Sequence, residues 1–146
     1  MKKALFIAVF SFLILSCSHK VERADIAKIN GYWEIETVVF PDGNHKQYGA
    51  NDTYDYFEVK DNKGFRKKVM PQLDGTFLVN DTFETVAVKD SMGQYYIHYS
   101  TSFSKWKEQI LALTEDELVL QNSSKKEYHY KRAAPINIIN HGKKAQ

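Results

Sequence analysis

The fold class of this chain is decided by the stretch GYWEIETVVFPDGN, residues 31–44. Its side chains alternate with a period of two, so that Trp33, Ile35, Thr37 and Val39 fall on one face and Tyr32, Glu34, Glu36 and Val38 on the other. Such alternation is typical of a half-buried β-strand, and we expect Ile35 and Val39 to point inward. Pro41 presets its φ and Gly43 accepts a positive φ, so the end of the stretch predicts a tight turn.

The same pattern recurs along the rest of the chain, interrupted by turn residues. Eight further segments indicate strands: 53–60, 65–70, 76–79, 82–89, 94–100, 106–113, 118–121 and 127–132. Helical periodicity appears only at 25–30, which is enough for one or two turns. Short strands at this spacing are typical of a sandwich or a barrel, and sequential hairpins favour the barrel because it leaves no exposed edge. We therefore predict an all-β fold, a small antiparallel up-and-down β-barrel of eight or nine strands with a short N-terminal helical turn.

The composition fits one folded domain. The chain has 146 residues, of which 43% are hydrophobic and 26% charged, so a packed core is feasible and wholesale disorder is excluded. The aromatic share of 14% favours pleated, half-buried surfaces. The formal charge is +2, and without Lys2 and Lys3 of the leader it is +2 − 2 = 0. A near-neutral domain gives no electrostatic reason to expect a nucleic-acid partner.

The N-terminus has the features of a secretory signal peptide, assigned to residues 1–16. Two lysines follow Met1, and residues 4–15 form an apolar run that ends at Ser16. A basic start, a short apolar stretch and a small residue at the cleavage site describe such a signal. The alternative is a retained membrane anchor, although the apolar run is short for a permanent span.

Cys17 is the only cysteine of the chain and follows this run directly. The sequence Ile14-Leu15-Ser16-Cys17 resembles the bacterial lipobox, in which the cysteine is acylated after cleavage. Acyl chains such as palmitate supply enough buried CH₂ groups for a stable membrane anchor. We expect residues 17–28 to be the acylated cysteine and a polar tether. Ser18 is not an acidic retention signal, so the resemblance implies an outer-membrane lipoprotein of the cell envelope, with its periplasmic or surface face left open.

The two ends of the β segment carry a family resemblance. Gly31-Tyr32-Trp33 opens the first strand, and Tyr128-His129-Tyr130-Lys131-Arg132 ends the last. This layout resembles the lipocalin and wider calycin barrels, most closely the small lipocalin-like lipoproteins of Bacteroidetes. The resemblance implies a barrel over residues 29–134, closed at one end by Gly31, by Trp33 and by Arg132 or Lys131 across the indole. The Thr-Asp-Tyr of better-known lipocalins is absent, since residues 101–104 are Thr-Ser-Phe-Ser. The tail, 135–146, is expected either to add a strand or to dock loosely.

Nothing in the sequence indicates catalysis. There is no Gly-x-Ser-x-Gly and no Gly-rich phosphate loop, and the histidines are scattered. His98 and His129 lie on separate late strands and could meet across a barrel, but a metal site would need a third ligand. We expect a protein that is not an enzyme, without a metal site or cofactor.

Tyrosine pairs are the candidate binding residues. They occur at alternating positions of three predicted strands: Tyr54 and Tyr56, Tyr95 and Tyr99, and Tyr128 and Tyr130. If these faces point inward, they line a cavity that is apolar with hydroxyl groups, where a small apolar or amphipathic ligand could bind. The alternative is that tyrosines fill the core or lie outside. The protein would then be a filled-barrel interaction or scaffold module of the envelope, with no ligand and no catalysis.

Overall fold

The structure, a computed structural model, describes residues 19–133. A 3₁₀ helix at Arg23–Ile29 precedes ten strands: β1 Gly31–Val39, β2 His45–Gln47, β3 Tyr54–Lys60, β4 Lys63–Pro71, β5 Phe77–Val79, β6 Glu84–Ser91, β7 Gln94–Ser100, β8 Lys105–Leu113, β9 Glu117–Gln121 and β10 Glu127–Arg132. Within these residues, no helix has the length and apolar character needed to cross a membrane. The predicted signal peptide, Cys17 and the predicted tail 135–146 lie outside the described residues.

Eight strands close into an antiparallel up-and-down barrel. The order is β1-β3-β4-β6-β7-β8-β9-β10, and β10 pairs back with β1. The short strands β2 and β5 lie outside this ring and pair with β1 and β4. The predicted fold class is confirmed, and the nine predicted strands agree with the observed ones to within two residues at each end. Only β2 was missed, because three exposed polar residues carry no alternation.

A register shift changes the inward face of β1. The shift lies between Ile35 and Thr37, opposite β10, and such a bulge exchanges the two faces of the strand beyond it. Ile35 packs against the core as expected. Beyond the shift, Val38 is buried while Val39 is only half-buried, so the expectation that Val39 points inward is wrong.

The 3₁₀ helix covers one end of the barrel, called the closed end here. Ile26 and Ile29 join the main hydrophobic core, and so does Val21, which precedes the helix. Asp25 fastens the helix, since it accepts hydrogen bonds from the Glu22 amide at 2.9 Å and from Lys28 Nζ at 2.8 Å. The segment expected to be a tether is therefore packed against the barrel from Val21 onward.

Trp33 and Arg132 lie together at this closed end. The guanidinium carbon of Arg132 is 3.9 Å from the indole centroid, and Trp33 Nε1 donates a 2.7 Å hydrogen bond to the Ile29 carbonyl. Gly31 has φ +114°, and a Cβ there would lie 3.0 Å from Arg132 Nη1. Lys131 points elsewhere, toward Glu34 at 3.6 Å. Of the two basic residues considered, Arg132 is the one over the indole.

Candidate functional site

The opposite end of the barrel, called the open end, is bounded by the turns 72–76, 101–104 and 122–126. Aromatic residues line the interior toward it. Tyr99 and Tyr130 are buried in the core, and the side chains of Tyr128 and Trp106 are half-buried against it. Tyr95 is also half-buried against the core, but it follows the β6–β7 turn at the closed end. Trp106 stacks on Tyr99 with ring centroids 5.1 Å apart. Four of the six tyrosines chosen from the sequence thus point into the barrel, although Tyr95 lies at its closed end.

Tyr54 and Tyr56 lie on the outer face instead. The residues of β3 that belong to the core are Phe57 and Val59, and alternation therefore places both tyrosines outside. Tyr54 is buried against the outer strand β5, with its ring centroid 6.4 Å from that of Phe77. The expectation that these two tyrosines share the interior with the other four is wrong. An aromatic stripe shows which side chains share a face but not which face is inward.

Charged groups lie inside the barrel beside the tyrosines. The guanidinium of Arg66 on β4 lies 4.4 Å from the centroid of the Tyr99 ring. Its Nε donates a 3.1 Å hydrogen bond to Glu84, and Asp55 lies 4.0 Å away. Lys68 Nζ reaches Asp55 Oδ1 at 2.7 Å. Burial opposes the charge of Arg66, but Tyr99, Asp55 and Glu84 outweigh it and raise the pKa of the guanidinium.

Glu108 and Tyr99 complete this group, which we call the inner polar cluster: Asp55, Arg66, Lys68, Glu84, Tyr99 and Glu108. Glu108 Oε2 and the Tyr99 hydroxyl are buried and have no hydrogen-bond partner among residues 19–133. Burial raises the pKa of Glu108 and outweighs the opposing effects of the Tyr99 hydroxyl and the Arg66 charge. Burial and the nearby Glu108 carboxylate raise the pKa of Tyr99 well above its ordinary value. The cluster therefore keeps polar atoms whose hydrogen-bonding capacity is unused.

The sequence contained a signal for this cluster. Glu108 alternates with Trp106 and Ile110 on β8, and Asp55 alternates with Phe57 and Val59 on β3. A charged residue at the inward parity of a strand is unusual, because an unpaired buried charge is costly. If the inward positions of each strand had been identified first, these carboxylates and Arg66 would have been recognised as candidates for the barrel interior.

Six aromatic residues form a second feature on the outside, the outer aromatic ribbon: Tyr32, Tyr54, Tyr56, Phe65, Phe77 and Phe83. Tyr32 stacks on Phe77 with centroids 4.1 Å apart, and Phe65 meets Phe83 edge-on at 6.1 Å. Phe83 is 52% exposed, and neighbouring β5 exposes Leu78. Phe83 is thus the exposed part of the ribbon, whereas Tyr54 is buried and the other four residues are half-buried.

A basic groove of about 430 Å³ crosses the outer face of β6, β7 and β8. His98 lies there between Lys89 and Lys107, and desolvation followed by these two charges lowers its pKa. His129 pairs with Glu127 at 3.0 Å on β10, so the two histidines do not meet. Over residues 19–133, no group of three or more His, Cys, Asp or Glu could hold a metal ion.

Comparison with known proteins identifies one family. Residues 29–120 match the family described as a lipocalin-like domain, which is more than half of the chain. Among solved structures, the chain is similar to a lipocalin-like protein from Bacteroides uniformis, with 14% identity, a TM-score of 0.47, and 73% of this chain and 99% of that chain covered. No curated protein sequence matches the chain. The family match includes every residue of the inner polar cluster.

Proposed function

Because the chain belongs to the lipocalin-like domain family, we propose that it is an envelope lipoprotein whose barrel binds a small amphipathic ligand. Proteins of this family are generally non-catalytic, and the proposed role involves no chemical step. The barrel supplies the ligand site. In this proposal Cys17 carries the lipid that anchors the protein to a membrane. The residues around Cys17 favour the outer membrane, as described under the sequence analysis.

The observation that carries this proposal is the composition of the interior near the open end. Half-buried Trp106 and Tyr128 provide an aromatic wall, and Tyr99 of the inner polar cluster stacks directly on Trp106. Ligand sites combine mostly apolar walls with a few polar groups that fix the orientation of the ligand. A buried polar atom without a partner costs about 1–3 kcal/mol, so a ligand that pairs with such an atom recovers that cost.

Native mass spectrometry tests the proposal. The protein would be produced without residues 1–17, which precede the described barrel, and purified from bacterial cells. A bound small molecule that is lost on denaturation, and that is reduced in a Tyr128→Ala variant, supports a ligand in the barrel. Tyr96→Ala is the matched control, because Tyr96 is on the outer face and donates to Gln94 at 3.0 Å. A bare protein mass that stays bare after incubation with envelope lipid extracts contradicts the proposal.

One observation favours a second function, an interaction module of the envelope. The outer aromatic ribbon and the exposed residues Leu78 and Phe103, which are 59% and 98% exposed, offer apolar surface to a protein partner. Contiguous exposed apolar patches often mark interaction sites. The test is whether one envelope protein co-purifies with the wild type. Loss of that protein from the Phe83→Ser variant, together with its retention by Tyr128→Ala, would favour this function over ligand binding.

A further inference from the structure

The inner polar cluster contains more anionic than cationic side chains. Its carboxylates are Asp55, Glu84 and Glu108, and its cations are Arg66 and Lys68. Arg66 is engaged by Glu84, by Asp55 and by the face of the Tyr99 ring, while Lys68 is engaged by Asp55. Among residues 19–133, no Lys, Arg or His lies within 4 Å of Glu108 as an ion-pair partner. Glu108 is thus the acidic member left without a cation.

Hydrogen bonding shows the same imbalance. Glu108 Oε2 can only accept a hydrogen bond when the carboxyl is ionised, and it has no donor in the part of the chain described here. The Tyr99 hydroxyl lies near enough to Glu108 for each group to shift the pKa of the other, yet neither atom has a hydrogen bond of good geometry within residues 19–133. The hydroxyl can donate or accept. Both side chains are more than nine-tenths buried, with 9% of Glu108 and 1% of Tyr99 exposed.

The cluster is reachable from the open end. The side chain of Lys68 is 57% exposed although its Nζ contacts Asp55, which is almost fully buried. Trp106, one face of which stacks on Tyr99, remains half-buried, as does Tyr128 on β10. Trp106 precedes Glu108 by two residues on the same face of β8, so it lies between Glu108 and the turn 101–104 at the open end.

Resting on the ligand-binding role proposed above, we propose that the barrel selects ligands by a hydrogen-bond-donating head, an alcohol or an amine, received by Glu108 and Tyr99. The apolar part of such a ligand lies against Trp106 and Tyr128. A carboxylate head is disfavoured, because it brings no donor and would meet Asp55, Glu84 and Glu108 in a region of low dielectric constant.

Three probes with the same alkyl chain test this inference: 1-decanol, decylammonium and decanoate. Their binding to the protein produced without residues 1–17 would be measured by titration calorimetry at pH 7, below their micellar concentrations. We expect decanol and decylammonium to bind at least about tenfold more tightly than decanoate, as one or two recovered hydrogen bonds allow. The ratio of decanol to decylammonium separates hydrogen bonding to a neutral head from attraction of a charged one.

Two variants assign the selectivity to the named residues. Glu108→Gln keeps the size of the side chain but removes the acid, so the preference over decanoate should fall several-fold. Glu117→Gln, at an exposed position of β9, is the control and should leave it unchanged. Tyr99→Phe, which keeps the ring on Trp106, should weaken decanol binding without unfolding the protein, and circular dichroism verifies the fold of each variant.

The outcomes are distinct. Binding of decanoate as tight as that of the other two probes overturns this inference and leaves the ligand-binding role standing. A preference for decanol or decylammonium that survives Glu108→Gln also overturns it, because the selecting group then lies elsewhere. Absence of binding by all three alkyl chains overturns the ligand-binding role together with this inference.

Discussion

Arg132 joins the two ends of the described chain by lying over Trp33. Its guanidinium carbon is 3.9 Å from the indole centroid, and its three nitrogens donate to the carbonyls of Lys28, Asn30 and Glu115 at 2.6, 2.6 and 2.7 Å. The same side chain therefore holds the 3₁₀ helix, the start of β1 and the turn before β9. One residue of the last strand thus closes the barrel end that the helix covers.

Replacing Arg132 by Met should destabilise the fold by about 2–4 kcal/mol, because the variant loses charge-assisted hydrogen bonds and the cation–π contact while keeping most of the apolar stem. Urea unfolding measures the change. Lys131→Met is the matched control, and since its ion pair with Glu34 is long and half-exposed it should cost less than about 1 kcal/mol. Equal losses in the two variants would show that the contacts of Arg132 do not support the closed end.

Replacing Gly31 by Ala should cost about 2 kcal/mol for two reasons that act together. A φ of +114° is strained for any residue with a Cβ, and that Cβ would lie 3.0 Å from Arg132 Nη1. Gly43→Ala separates the two, because Gly43 has φ +86° but nothing within 4 Å of the added atom. The midpoint temperature of thermal unfolding should be lower for Gly31→Ala than for Gly43→Ala. The reverse order would count against a steric role for Arg132.

Glu108 should make the protein less stable as the pH rises. Its folded-state pKa is raised by burial, so the folded state holds the proton more tightly than the unfolded chain does. The stability is then full below the unfolded pKa of about 4.3 and declines as the pH rises from there through the folded pKa. Glu108→Gln should remove this decline and be more stable than wild type at pH 7. Urea titrations between pH 4 and 8 give the free energy of unfolding of the wild type and of Glu108→Gln at each pH. Parallel pH dependence of these two free energies would contradict the prediction.

Tyr99→Phe should change stability by less than about 1 kcal/mol, because the lost hydroxyl has no partner among the described residues and the ring contacts remain. Tyr99→Ala should cost about 3–5 kcal/mol, since it empties a buried site beneath Trp106 and Arg66. Chemical denaturation of the two variants separates the ring from the hydroxyl. A large loss in the Phe variant would mean that the hydroxyl does have a partner in the folded protein.

Alternation and turn residues were enough to predict the barrel and its strands, whereas the residues at its closed end came from the family resemblance. These sequence patterns failed where geometry depends on contacts between strands. The shift after Ile35 comes from pairing with β10 and cannot be inferred from β1 alone, so Val39 was chosen instead of Val38. Tyr54 and Tyr56 were misplaced because Tyr and Phe fit either face of a strand, whereas a buried acid such as Asp55 needs partners that only the folded barrel supplies.

The packed N-terminal segment limits how the barrel can stand on a membrane. Val21 is part of the core, His19 lies 3.4 Å from Asp25, and Lys20 lies beside Gly93 in the turn between β6 and β7 at the closed end. Cys17 is two residues before His19, a reach of about 7 Å. Because this connection is short, an acyl group on Cys17 would keep the closed end of the barrel near the bilayer. The open end would then point away from the lipid leaflet that anchors the protein, and a ligand would enter it from the surrounding compartment.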